Sequence, residues 1–198
     1  MREKIYENET FFDRWAYSYD SPLFQFWMRR FYRPALSRIT ASGKVLDVSC
    51  GTGEFLRELN EKNQNKLYGT DFSGKMAAAA KKKLGKNVKI QKADVHELPF
   101  PNNMFGYVVS TEAFHHYYNQ KLALQEMKRV VKSGGEVMVV DINLFFHFIH
   151  WSFQKLEPGC VKVNSKKEMK SLFKEVGLQN IIQERSFLFA VLTRGMKS

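Results

Sequence analysis

From about residue 44 to residue 141 the chain alternates short apolar runs with amphipathic stretches. KVLDV (44–48) predicts a buried strand and EFLRELNEK (54–62) the helix after it. KLYGTD (66–71) predicts a second strand. Ser73 then stands as an N-cap for a helix reaching about Leu84, with Met76, Ala80 and Leu84 on one apolar stripe. VKIQKAD (88–94) and YVVST (107–111) read as the third and fourth strands, and 119–131 as a helix with Leu122, Met127, Val130 and Val131 inward. EVMVVD (136–141), after the turn Ser133-Gly134-Gly135, reads as the fifth. Strands and helices alternating in this way predict a doubly wound, parallel sheet with helices on both faces.

The last third departs from that rhythm. A helix over 165–176 should stop at Gly177, a favoured residue just past a helix end. LQNIIQER (178–185) and FLFAVLTR (187–194) follow with almost nothing between them. A parallel crossover needs a dozen or more residues, so these two strands must pair antiparallel as a hairpin. Two aromatic-rich segments flank the core: 11–32, with Phe11, Phe12, Trp15, Trp27 and Phe31 among others, and NLFFHFIHWSFQKL (143–156). Neither fits a central strand, and both are expected to lie over the carboxyl ends of the strands and close a pocket there. The layout predicted is one domain over 1–198: a helical cover (1–40), a core (41–141), an aromatic lid insertion (142–164), then the last helix and terminal hairpin (165–198).

Composition narrows the class. No apolar run approaches the ~18 residues of a spanning helix. The opening MREKIYENETFF has no apolar signal region, which points to the cytoplasm. Cys50 and Cys160 lie far apart without metal-ligand spacing, so neither a disulfide framework nor a zinc site is expected. The net charge of +11 is uneven: seven lysines (75, 81, 82, 83, 86, 89, 92) occur with no acid between Gly74 and Lys92. Such a run is either a solvated face or a surface for an anionic partner.

The chemistry concentrates in VLDVSCGTG (45–53). Gly51 and Gly53, between a strand and a helix, remove Cβ atoms where a ligand can approach the backbone. Asp71 ends the second strand about 20 residues on, where a carboxylate can accept both hydroxyl hydrogens of a ribose. Asp94, at the third strand's end, can accept from an adenine amino group. The three loop ends describe an adenosine pocket. Leu56 stands where a dinucleotide fingerprint needs its third glycine, and no G-K-[ST] follows as in a phosphate loop.

With GTDFSGKM (69–76), ADVHELPFPNNMF (93–105), STEAFHHY (110–117), EMKRVVKSGGEVMVVD (126–141) and the opening FFDRWAYSYD (11–20), the turn resembles the class I S-adenosylmethionine-dependent methyltransferases. The resemblance is to the group that serves ubiquinone and menaquinone biosynthesis, and it runs from about Phe11 to Arg194. It implies a seven-stranded sheet of order 3-2-1-4-5-7-6 with strand 7 reversed, and S-adenosyl-L-methionine as cofactor. Asp47, Ser49, Gly51, Thr52 and Gly53 would surround its methionine end, Asp71 its ribose, Asp94 and Val95 its adenine, and Thr111 its sulfonium, with Phe72 a further cofactor contact. Ser49 replaces the usual Gly or Ala, and Gly106 stands where an aspartate commonly follows the phenylalanine; the second change should be structural. His115 and His116 follow the fourth strand, where an acceptor would meet the methyl group. Either is a candidate general base, or the pair simply packs in that loop.

The acceptor implied is small or lipid-like, of quinone or phospholipid type, and clustered Arg29, Arg30 and Arg33 beside aromatics suit contact with an anionic membrane surface. Two alternatives stay open. An RNA methyltransferase would use the lysine run, although no appended nucleic-acid module is visible. A non-catalytic cofactor-binding regulator would bind the cofactor without turnover.

Overall fold

The computed structural model describes residues 9–14, 16, 19–40, 43–62, 66–143, 155 and 157–198. A helical turn over 9–14 precedes α1 (Pro22–Arg38), β1 (Lys44–Val48), α2 (Glu54–Lys62), β2 (Lys66–Asp71), α3 (Gly74–Leu84) and β3 (Val88–Lys92). Then come β4 (Phe105–Thr111), α4 (Gln120–Val130), β5 (Val131–Ile142), α5 (Lys166–Glu175), β6 (Gln179–Phe187) and β7 (Ala190–Met196). The seven strands form one sheet of order β3-β2-β1-β4-β5-β7-β6. All neighbours are parallel except β7, which runs antiparallel to both β5 and β6. This is the topology the resemblance implied.

Local chemistry explains the ends of these elements. The Ser73 hydroxyl caps α3 by accepting from the Met76 N–H. Ser165 and Glu168 form a reciprocal capping box on α5, and Gly177 follows that helix at φ +76°. β3 ends at Lys92, two residues short of the expected strand, because the Asp94 carboxylate accepts the His96 N–H and turns the chain. β5 begins five residues early, at Val131, and carries the Ser133-Gly134-Gly135 bend inside it. Its register against β4 jumps there, from Phe105↔Val131 to Tyr107↔Glu136. A Cβ on Gly135 would lie 2.8 Å from the Gly106 carbonyl oxygen, so the bulge closes only without a side chain. Gly106 sits in that irregularity, away from the ligand edge.

Two apolar layers sandwich the sheet. Phe105, Phe114, Leu124, Met127 and Phe173 fill one; Leu56, Leu59, Val109, Met138 and Leu192 fill the other. The second layer takes in Tyr32, Ala35, Leu36 and Ile39 of α1 and the residue after it. That spacing (i, i+3, i+4, i+7) is a helix stripe suited to a sheet face. The 11–32 segment therefore divides. Glu9, Phe12 and Tyr19 stand at the carboxyl ends of the strands, whereas α1 from Pro22 onward packs on the sheet's face. Of the second aromatic segment, 144–154 and 156 lie outside the described residues.

Candidate functional site at the carboxyl edge of the sheet

A cavity of about 230 Å³ opens where β1, β2, β3 and β4 end. Ser49, Gly51, Asp71, Phe72, Asp94, Val95 and Thr111 all line it, so four successive strand ends converge on one space. Phe12, Tyr19, Met76, Tyr117 and Val161 supply aromatic and apolar wall. Ser49 and Glu112, both on the wall, hold left-handed backbone at φ +60° and +53°. Such conformations cost non-glycine residues roughly 1–3 kcal/mol and collect at sites where geometry is imposed by function.

The Asp71 carboxylate organises the floor. Its oxygens accept from the Gly51 N–H at 2.8 Å and the Ser73 N–H at 2.9 Å, tying the β1 and β2 loops together. Burial pushes its pKa up to about 6; those two donors pull the other way and Asp13 adds to the rise. Asp94 accepts from the His96 ring at 2.5 Å and the Tyr118 hydroxyl at 3.1 Å, and His96 stacks on Tyr118. Although burial opposes it, these donors hold Asp94 below the usual carboxylate range.

Asp47 lies under the glycine turn, 1% exposed, and neither carboxylate oxygen has a hydrogen-bond partner among the described residues. Thr52 and Gly53 sit off the cavity wall. Thr52 donates to Asp20 at 2.6 Å and accepts from Lys83. A Cβ on Gly53 would lie 2.8 Å from Leu84 Cδ1 and 3.2 Å from Ala80 Cβ. Gly53 is thus needed to seat α3, while Gly51 is the glycine open to the cavity.

The N-terminal residues are fastened over each loop by an acid. Asp20 pairs with Lys83 at 2.8 Å and takes the Thr52 hydrogen bond, Asp13 accepts from the Ser73 hydroxyl, and Glu9 pairs with Lys92. Tyr19 stands over Gly51. Part of the lysine run is consumed here, since Lys83 also pairs with Glu54 at 2.6 Å. Sequence patterning missed these acids because their partners are remote in the chain.

Beside the cavity, His115 and His116 form a short 3₁₀ turn after β4. His115 Nδ1 meets Asp141 at 2.5 Å, and His115 Nε2 lies 3.3 Å from Glu157. Burial pulls His115 down, but Asp141 and Glu157 more than offset it and hold the pKa at about 10. Burial, reinforced by the charge on His115, pushes His116 down to about 4. Only His116 of the two reaches the cavity wall. Glu112, also on the wall, is raised well above the carboxylate range by burial and by Asp141. The adjacent histidines were visible in the sequence; Glu112, Asp141 and Glu157 carried no local signal.

Comparison with known proteins agrees with this geometry. A family model described as a methyltransferase domain matches residues 46–139. Demethylmenaquinone methyltransferase of Staphylococcus aureus (strain Newman) is 32% identical over 171 residues, covering 73% of this chain and 70% of that relative. A solved complex of the Haloferax volcanii Trm112 methyltransferase activator with a methyltransferase superposes with a TM-score of 0.82 at 21% identity, over 93% of this chain and 96% of that one. A SAM-dependent methyltransferase of Aquifex aeolicus superposes at 0.76, also with 21% identity, over 94% and 98%.

Proposed function

The chain belongs to the class I S-adenosylmethionine-dependent methyltransferases of the menaquinone-biosynthesis group, and from that premise we propose that it methylates a lipid-like, quinone-type acceptor drawn from a membrane surface. S-adenosyl-L-methionine is the cofactor, and when bound it supplies an electrophilic methyl group on a sulfonium. The residues present fit it. Asp47, off the cavity wall, keeps two buried oxygens without partners among the described residues, a fitting acceptor for a water bridging to the ligand's ammonium. Gly51 leaves room for close approach, Asp71 has lone pairs to spare for ribose hydroxyls, and Asp94 faces the same cavity for the adenine.

The observation that carries the acceptor reading is the apolar surface on the cavity's own edge. Ile142, at the carboxyl end of β5, pairs with Ala190, so the β6–β7 turn projects at that edge. Its Leu188 and Phe189 are exposed, as are Leu23, Phe26 and Trp27 of α1. Phe187 draws the two together by packing on Trp27 and Phe31, with the Arg30 guanidinium 3.6 Å over the Phe26 ring. Large apolar side chains left in water beside arginines suit an anionic lipid interface. Among the described residues no helix is long and apolar enough to cross a membrane, so the contact proposed is peripheral. Water exclusion by Phe12, Tyr19 and Val161 would favour the aligned, desolvated encounter that methyl transfer needs. Of the two histidines His116 is the one on the wall, held neutral at pH 7, while His115 and Asp141 would hold the loop.

Incubating the protein with methyl-labelled cofactor and cell extract should place the label in the lipid fraction. Label in RNA instead would favour the nucleic-acid alternative, and binding without label anywhere would favour a regulatory module. The raised Asp71 pKa adds a pH expectation. Ribose hydroxyls donate more strongly to the ionised carboxylate than to the acid, so S-adenosylhomocysteine affinity should be level above about pH 7 and fall below about 6, by at most tenfold per unit. Titration calorimetry across that range checks it: Asp71→Asn should flatten the profile, and an unchanged profile in that variant would assign the pH dependence elsewhere.

A further inference from the structure

We propose that His115, His116 and Glu157 form a three-ligand site for a divalent transition metal at the side of the cavity. One donor atom from each lies within 4.8 Å of the others. Glu157 comes within 3.3 Å of His115 Nε2 and 3.9 Å of His116 Nε2. Bonds of about 2.0–2.2 Å from nitrogen and carboxylate oxygen to a tetrahedral zinc set donors about 3.4 Å apart, so the cluster is near that spacing without a metal.

Three further observations point the same way. Asp141 binds the opposite ring nitrogen of His115 at 2.5 Å, the carboxylate–histidine arrangement that orients a metal-bound imidazole. The His116 and Glu157 side chains are largely shielded, only 10% and 24% exposed, so the donors are held in a partly desolvated place. Asp141 and Glu157 stand on opposite ring nitrogens of His115, at 2.5 and 3.3 Å, and two carboxylates about one imidazole favour a cation. Two imidazoles with one carboxylate select zinc, iron or nickel over magnesium or calcium, which prefer oxygen donors. His116 reaches the cavity wall, so a fourth coordination position would open toward the cavity and take water or a hydroxyl oxygen of the acceptor. The site rests on the donors alone and stands independently of the acceptor assignment.

The test uses the full chain, stripped with chelator and titrated with Zn²⁺ alone by competition against a chromophoric chelator, and with Co²⁺ by visible absorption. One equivalent of Zn²⁺ should bind, and Co²⁺ should give the intense d–d bands of a four-coordinate site. Glu157→Gln and His116→Ala, both at partly exposed positions, should each lower affinity more than tenfold, and Asp141→Asn about 10–100-fold. Circular dichroism and the melting temperature establish that each variant is folded. A wild-type chain that takes up no Zn²⁺ at ~100 μM, or a folded Glu157→Gln that binds as wild type does, overturns the proposal and leaves the cluster a proton-bridged ion network.

Discussion

Replacing Asp71 with alanine should weaken S-adenosylhomocysteine binding by about 10- to 150-fold, the equivalent of losing a charge-assisted hydrogen bond of about 1.5–3 kcal/mol. The carboxylate acts twice. It faces the cavity, and it holds the Gly51 and Ser73 N–H groups that keep the β1 and β2 loops in register. Asp71→Asn keeps one acceptor oxygen and should fall between wild type and alanine. Alanine binding equal to wild type would remove Asp71 from the ribose role. Because a buried carboxylate with a raised pKa is costly when ionised, Asp71→Asn should also make the unliganded chain no less stable near pH 7. Its stability deficit, if the backbone hydrogen bonds dominate instead, would appear as a lowered Tm.

Gly53→Ala should destabilise the fold by about 2–4 kcal/mol. The new Cβ would stand 2.8 Å from Leu84 Cδ1 and 3.2 Å from Ala80 Cβ, in a backbone at φ +85°. Overpacking costs about 1–3 kcal/mol and a non-glycine residue in such a conformation a similar amount. For a chain of this length that is a fall in Tm on the order of 5–15 °C. Gly74→Ala is the control: its Cβ would meet nothing closer than Lys92 Cδ at 3.7 Å, at the first position of α3. A Gly53→Ala protein that melts with wild type would show that α2 and α3 separate without cost.

These two residues also mark how far the sequence could be read. The strand order came from the family resemblance, whereas the terminal hairpin and the Ser73 cap followed from turn chemistry, because each is encoded within a few residues. Asp71 was legible for the same reason: it ends a strand at a fixed distance from the glycine turn. The paired glycines were legible as a turn but not in their division of labour. Which of them faces the cavity depends on Leu84 and Ala80, some 30 residues away. The 11–32 segment was read as one cover, whereas the stripe from Tyr32 to Ile39 sends α1 to the sheet face and leaves Glu9, Phe12 and Tyr19 at the cavity. Glu157 and Asp141 join His115 only through tertiary packing, so the paired histidines looked like a loop detail until β5 and the segment before α5 were placed beside them.

The central claim is that the cavity bounded by the β1, β2, β3 and β4 loop ends holds the cofactor. Titration calorimetry of the wild-type chain with S-adenosylhomocysteine at pH 7.5 tests it most directly. The account predicts saturable binding of one ligand per chain, weakened in Asp71→Ala. Absence of binding at millimolar ligand would contradict it.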